Sequence, residues 1–293
     1  MKKYILILLI LAFCFQTQGQ GLLLDGFMQP KGHIVTALGY SHEFYDTYYV
    51  GDRPTQNPNL GTIKTNSLNL YITGGITDFL NVTMNLPYVT AKPTAGFWSP
   101  QQDFQDLSIF LKGRLLNTDQ IGNGSLSIIG GLGYIFPFSN YIADAPLSIG
   151  HQAQRLEARL ITQYRFENSF FIMAQGGYSY TSNVELDRGF SVDVPNYYDI
   201  TIRSGGNLGF LYTDVWFSQQ NALSGTDIGP GTPFPTNAVS FLRTGFNLYG
   251  DIPFVQNLGL STGMGITLKG ENVGKSTRIS TSLIYRFSYL SKN

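Results

Sequence analysis

The sequence has a single cysteine, Cys14, few charges and, past residue 15, no long apolar run. With Cys14 removed by processing, the remaining chain forms neither a disulfide nor a thiolate metal site. Charged residues are 13% of the chain, about half the share usual in soluble domains. Lys+Arg and Asp+Glu each total 19, so no net charge draws the chain to nucleic acid. The three histidines, His33, His42 and His151, lie too far apart to follow a metal-ligand spacing, and no cofactor is implied. Asp46 and Asp52 flank Tyr48-Tyr49-Val50-Gly51, a pattern better read as solvated loop carboxylates than as a catalytic pair. No linker or internal repeat divides the chain, and no glycine cluster reads as a phosphate loop.

What is abundant is aromatic side chains, 14%, and glycine, 33 residues. The first residues read as an export signal: Lys2 and Lys3, an apolar stretch Tyr4 to Phe15, then Thr17-Gln18-Gly19 with small residues where cleavage needs them. That stretch is shorter than the roughly 20 residues a membrane-spanning helix requires. The expected organisation is a signal peptide over 1–19, an N-terminal segment over 20–32 and a barrel over 33–293. Lipidation at Cys14 is the lesser alternative, because Phe13 is bulky where a small residue is wanted.

The organising pattern has period two. In Thr277–Tyr289, Ile279, Thr281, Leu283, Tyr285, Phe287 and Tyr289 share one face, and Arg278, Ser280, Ser282, Ile284, Arg286 and Ser288 the other. Leu156, Ala158, Leu160, Tyr164 and Phe166 oppose Arg155, Glu157, Arg159, Gln163 and Arg165 in the same way. Twelve such strands are expected, near 33–44, 65–75, 82–92, 104–114, 125–138, 153–165, 169–181, 197–206, 211–221, 238–249, 257–268 and 276–289. Gaps after odd-numbered strands are mostly long and polar, and those after even-numbered strands mostly short. A soluble sandwich has no reason for that asymmetry, whereas a membrane barrel has long loops outside and tight turns inside. The fold class predicted is all-β, a transmembrane antiparallel up-and-down β-barrel of about twelve strands. It belongs in the outer membrane of a Gram-negative-type bacterium, with loops extracellular and both termini periplasmic. Two aromatic girdles follow: Tyr40, Phe44, Tyr88, Phe136, Phe138, Tyr178 and Tyr180 at the outer rim, and Tyr164, Phe166, Phe170, Tyr249, Tyr285 and Phe287 at the inner. The glycine pairs 74–75, 130–131, 176–177 and 205–206 are expected where a curved wall bends.

The stretch Gly75-Ile76-Thr77-Asp78-Phe79-Leu80-Asn81-Val82, followed by Leu86-Pro87-Tyr88-Val89, resembles a broad family of bacterial outer-membrane proteins named for the meta pathway of phenol degradation. Asp106-Leu107-Ser108-Ile109-Phe110-Leu111-Lys112-Gly113-Arg114-Leu115 is similar to that family's next strand, and Tyr285-Arg286-Phe287 to its ending. The resemblance is loose, runs over the mature chain and rests on short structural motifs. It implies a barrel and a role in passing hydrophobic or aromatic compounds, and it carries no catalytic or ligand residues.

Catalysis in a barrel would need its own machinery. Barrel phospholipases pair a His with a Ser two positions on, and here Val35, Phe44 and Ala153 stand there. An enzyme is therefore not expected. The informative charges are inward: Arg155, Glu157, Arg159, Arg165, Arg203, Arg243, Arg278 and Arg286, with Asp106 and Asp199 as acidic company. They form either a salt-bridged filling or the lining of an anion-preferring water path. Leu22, Leu23, Leu24, Phe27 and Met28 form an apolar cluster ahead of the first strand. Such residues are not left together in water. They either plug the lumen, against Ile129, Ile135 or Ile284, or simply extend the first strand or pack under the rim.

The function expected is a passive transporter or narrow channel for small, hydrophobic or aromatic solutes. Its expected partners are outer-membrane lipids and the barrel-assembly machinery. The alternative is a structural or surface-interaction barrel whose long extracellular loops, 45–64 (Pro54, Pro58) and 222–237 (Pro230, Pro233, Pro235), bind partners.

Overall fold

A computed structural model describes residues 24–56, 58–118 and 121–289. The signal segment, Cys14, Leu22 and Leu23 lie outside the described residues. Twelve antiparallel strands form one wall: β1 (His33–Tyr45), β2 (Ile63–Thr77), β3 (Leu80–Pro93), β4 (Asp106–Thr118), β5 (Gly124–Pro137), β6 (Arg155–Phe166), β7 (Phe171–Thr181), β8 (Tyr197–Leu208), β9 (Leu211–Ala222), β10 (Ser240–Asp251), β11 (Leu258–Glu271) and β12 (Thr277–Ser288). Each pairs with its neighbours in sequence, and β1 closes the ring by pairing β12 in register from His33↔Ser288 to Phe44↔Thr277. Closure satisfies the backbone of every strand and leaves no edge to hydrate, which is the condition for crossing a bilayer. All twelve expected strands are present, with ends shifted by at most four residues.

The connections alternate as the polarity pattern requires. One end carries turns at 78–79, 167–170, 209–210 and 252–257, and the described residues 121–123 lead into β5 at the same end. The other carries the segments 46–62, 94–105, 138–154, 182–196 and 223–239, with a shorter one at 272–276. Two of the long segments hold hairpins of their own, Thr47–Val50 with Arg53–Gln56 and Val184–Glu185 with Ser191–Val192.

Leu38, Leu68, Leu132, Leu160, Ile202 and Leu283 are exposed on the outer surface, while their sequence neighbours turn inward. Aromatic rings cluster at both ends. Tyr88, Phe104 and Phe138 form an edge-to-face chain with centroids 5.2 and 5.6 Å apart. At the turn end Tyr164, Phe166 and Phe170 follow at 4.8 and 5.7 Å, and Tyr285 stacks on Phe287 at 6.0 Å. Tyr249 departs from expectation. It shares the parity of Arg243, lines the lumen and lies against Gly259, with the Arg286 guanidinium 5.5 Å from its ring centroid.

The glycine pairs also differ in part from the reading of wall bends. Gly75 does sit at a bulge in the β2–β3 pairing. Gly177 does something else, because a Cβ there would lie 2.8 Å from both Arg159 Nη1 and Asp199 Oδ1. The missing side chain on β7 is what lets Arg159 of β6 reach Asp199 of β8 across it.

Leu283 pairs Leu38 and Leu260 at mid-strand, while Ser282 lines the lumen. Leu283→Arg should therefore destabilise the barrel by about 2–4 kcal/mol, the cost of a charge against lipid near the midplane. Ser282→Arg should cost far less. Denaturant unfolding in lipid vesicles, read by the gel-mobility difference between heated and unheated samples, checks this. Equal tolerance at the two positions contradicts the facing.

Candidate functional site

The lumen is filled unevenly. Leu24 is fully buried in a cluster with Phe110, Ile129, Ile135, Ile161, Phe171 and Met173, and Phe27 and Met28 pack against it. These wall residues come from β4 to β7, so the segment ahead of β1 lies inside the barrel against one side. Ile129 and Ile135 meet it as expected, whereas Ile284 lies in the wall of the open side instead. Gly131 provides room, since a Cβ there would stand 2.7 Å from Leu24 Cδ1. Phe27 meets Phe171 at 5.8 Å and Tyr212 at 6.2 Å, both edge-on.

Polar groups fasten the same segment. The Lys112 ammonium, 1% exposed, donates to Asp25 Oδ1 at 3.1 Å, to the Asp25 carbonyl at 3.2 Å and to the Phe27 carbonyl at 2.5 Å. Asn81 and Gln29 exchange hydrogen bonds of 3.0 and 2.9 Å. Gln175, oriented by its neighbours, donates to the Leu24 carbonyl at 3.1 Å and accepts from Arg159 Nη1 at 2.8 Å. A buried ammonium is tolerated only where its donors are satisfied, and here the segment's own backbone supplies two of the acceptors. Lys112, Asn81 and Asp25 escaped sequence reading because each looks like an ordinary polar position until the segment lies across the wall.

The predicted lumen charges converge. Glu157 accepts from Arg159 at 2.8 and 3.0 Å and lies 3.9 Å from Arg155. Arg155 also lies 3.6 Å from Asp106, and Arg159 reaches Asp199 at 2.9 Å. Arg278 pairs with Glu43 and Arg286 with Asp251. Arg203 donates to Asp214 at 2.7 Å, and Asp214 also accepts from Asn247 at 2.8 Å. Glu43, Asp214 and Asp251 are partners that single-strand periodicity does not reveal. Glu43 and Asp214 stand on the strand next to their arginine and Asp251 one strand further, across β11, so their proximity is a matter of register.

Opposite the packed side lies a cavity of about 930 Å³. Six of its lining residues are arginines (Arg159, Arg165, Arg203, Arg243, Arg278 and Arg286), against the two carboxylates Asp25 and Asp199. A second cavity of about 650 Å³ lies beneath the long connections. Asn85 and Arg243 line both, so the two chambers meet there.

The long connections fold over this end. The segment 138–154 buries Tyr141, Leu147 and Ile149, and Tyr141 donates to Asp106 and accepts from the Gln152 amide at 3.0 Å. Burial, reinforced by the Asp106 charge, pushes the Tyr141 phenol upward. His151 lines the smaller chamber, and burial followed by the Arg155 charge lowers its pKa to about 4, which keeps it neutral near pH 7. Asn272 ties three connections together, accepting from the amides of Gly51 and Ile228 and donating to the Ala238 carbonyl, each at 2.9 Å. His42, 2.7 Å from Asn66 Oδ1, stands on the outer face. Asp46 is held in its loop by the Thr47 hydroxyl at 3.0 Å. Among the described residues no cluster of three or more His, Cys, Asp or Glu suits a metal ion.

This is the architecture of a transmembrane outer-membrane-type barrel. The chain is similar in structure to an outer-membrane channel from Pseudomonas putida F1, with a TM-score of 0.69 over 90% of this chain and 98% of that one at 15% identity. It is also similar to the porin NanC, with a TM-score of 0.52 over 88% of this chain and all of that one at 7% identity. No protein-family model and no curated protein sequence matches the chain.

Proposed function

We propose that the chain is a passive outer-membrane channel for small solutes, narrowed by its own N-terminal segment. Its long connections face outward and its termini the periplasm. The observation that carries this reading is the pair of chambers, about 930 and 650 Å³, meeting at Arg243 and Asn85 inside a closed barrel. A structural barrel of this size would be expected to fill its interior with side chains. The larger chamber sets aromatic surfaces, Phe27, Phe171 and Tyr212, against a wall of arginines. That combination favours solutes with an apolar or aromatic body over sugars. The similarity to a channel and a porin supports the reading through fold alone. The apolar outer belt fits outer-membrane lipid, placed there by the barrel-assembly machinery.

Purified protein in planar bilayers should give discrete, low-conductance openings. Proteoliposomes should admit small aromatic solutes faster than sugars of equal mass, and the cellular protein should fractionate with outer membranes. Folded, inserted protein that passes neither ions nor solutes overturns the channel reading.

A further inference from the structure

Four of the six arginines around the larger chamber are matched by carboxylates: Arg159, Arg203, Arg278 and Arg286. A fifth, Arg165, lies beneath the Phe27 ring, 5.7 Å from its centroid. Arg243 differs. Among the described residues no carboxylate lies within ion-pair distance of it, and the nearby Glu43 is engaged by Arg278 through a 2.6 Å bond from Nε. Arg243, Arg278 and Glu43 together leave one positive charge, and they leave it where the two chambers meet.

The Arg243 side chain is also held in place. Its Nε donates to Thr267 Oγ1 at 3.2 Å, and its guanidinium carbon sits 4.1 Å from the Phe241 ring centroid. Among the described residues the two terminal nitrogens make no hydrogen bond, so the fork is fixed and its outer donors are unused. A guanidinium fixed in this way matches the two oxygens of a carboxylate better than a spherical ion. Next along the inner face, Trp216 lies flat across β10 and β11. A Cβ on Gly245 or Gly265 would come within 2.5 or 3.1 Å of its Cζ2, so the two glycines make the floor for the indole. Trp216 Nε1 and Ser280 Oγ are buried at the chamber wall with no acceptor in the protein. A cation, two spare donors and aromatic surfaces together call for an anion with an apolar body.

We propose that Arg243 forms a binding site for an organic monocarboxylate of about the size of benzoate, with the carboxylate on the guanidinium fork and the ring toward Phe241 and Trp216. The proposal deepens the channel reading and rests on it, but binding is measurable without conduction. In calorimetric titration of the folded full chain in detergent, benzoate should bind saturably, and neutral benzyl alcohol about tenfold or more weaker. Arg243→Gln should weaken benzoate about tenfold, while Arg53→Gln, exposed on the Thr47–Val50/Arg53–Gln56 hairpin and lining neither chamber, leaves it unchanged. If the glutamine variant does not fold, Arg243→Lys, which keeps the charge and loses the fork, must still weaken binding severalfold. Equal binding of benzoate and benzyl alcohol, unchanged affinity in the folded Arg243 variant, displacement by equimolar chloride, or no benzoate binding each overturns the site. Loss of conductance with benzoate binding intact sinks the channel reading alone.

Discussion

Removing Gly21–Gln29 should raise single-channel conductance roughly twofold or more while the barrel still folds, because the segment occupies one side of the lumen and conduction scales with the free cross-section. The wall does not depend on it. Gly32 donates to the Gly75 carbonyl at 2.9 Å and His33 to the Pro30 carbonyl at 3.0 Å, so the entry to β1 survives the deletion. The deletion does carry a stability cost. Burying Leu24, Phe27 and Met28 is worth at most about 1.5–3 kcal/mol each, and water entering the lumen replaces only the polar part. Lys112 loses its three acceptors but gains water in their place, so its charge is not stranded.

A gentler variant separates displacement from truncation. Gly131→Leu projects a side chain into the space held by Leu24 and leaves the wall's hydrogen bonds intact. It should raise conductance in the same direction, though less. If the segment only braces β1, both variants should lower stability and leave conductance unchanged. No effect of either variant on either property would reduce the segment to a tether and weaken the case for a narrowed channel.

The barrel was legible in the sequence because both of its determinants are local. Alternation at Thr277–Tyr289 needs only the pleat, and loop lengths need only the spacing between alternating stretches. Parity likewise placed Arg155, Arg159, Arg203 and Arg278 inward without any knowledge of their neighbours. Tyr249 shows where an aromatic's usual preference for the girdle misleads, since its parity with Arg243 sends it to the lumen. What the sequence concealed is set by register between strands. Trp216 reads as one more aromatic until Gly245 and Gly265 fall beside it, and Gly177 reads as a bend until Arg159 and Asp199 fall on either side. The segment's contacts are more distant still: Lys112 and Asp25 are 87 residues apart, and no local pattern links them.

The pair most deeply enclosed by the wall gives the largest loss of stability expected of a single substitution. Asp214 has a fully buried side chain and is the one carboxylate in ion-pair contact with Arg203 among the described residues, at 2.7 Å. The two sit diagonally on adjoining strands, with Arg203 opposite Trp216 and Asp214 opposite Gly205. Asp214 also orients Asn247 on β10, so one carboxylate joins three strands. Asp214→Ala should cost about 3–5 kcal/mol, because removing one partner leaves the other charge enclosed and unmatched. Removing both charges should cost much less, since two desolvation penalties disappear with the attraction between them. Asp214→Leu with Arg203→Met should therefore recover most of the loss, measured by denaturant unfolding in vesicles. A double variant as unstable as Asp214→Ala would mean that the aspartate acts through Asn247 rather than through the ion pair. The Asn247→Leu variant would then reproduce the whole deficit, whereas an ion-pair role predicts that it costs only about 1–2 kcal/mol.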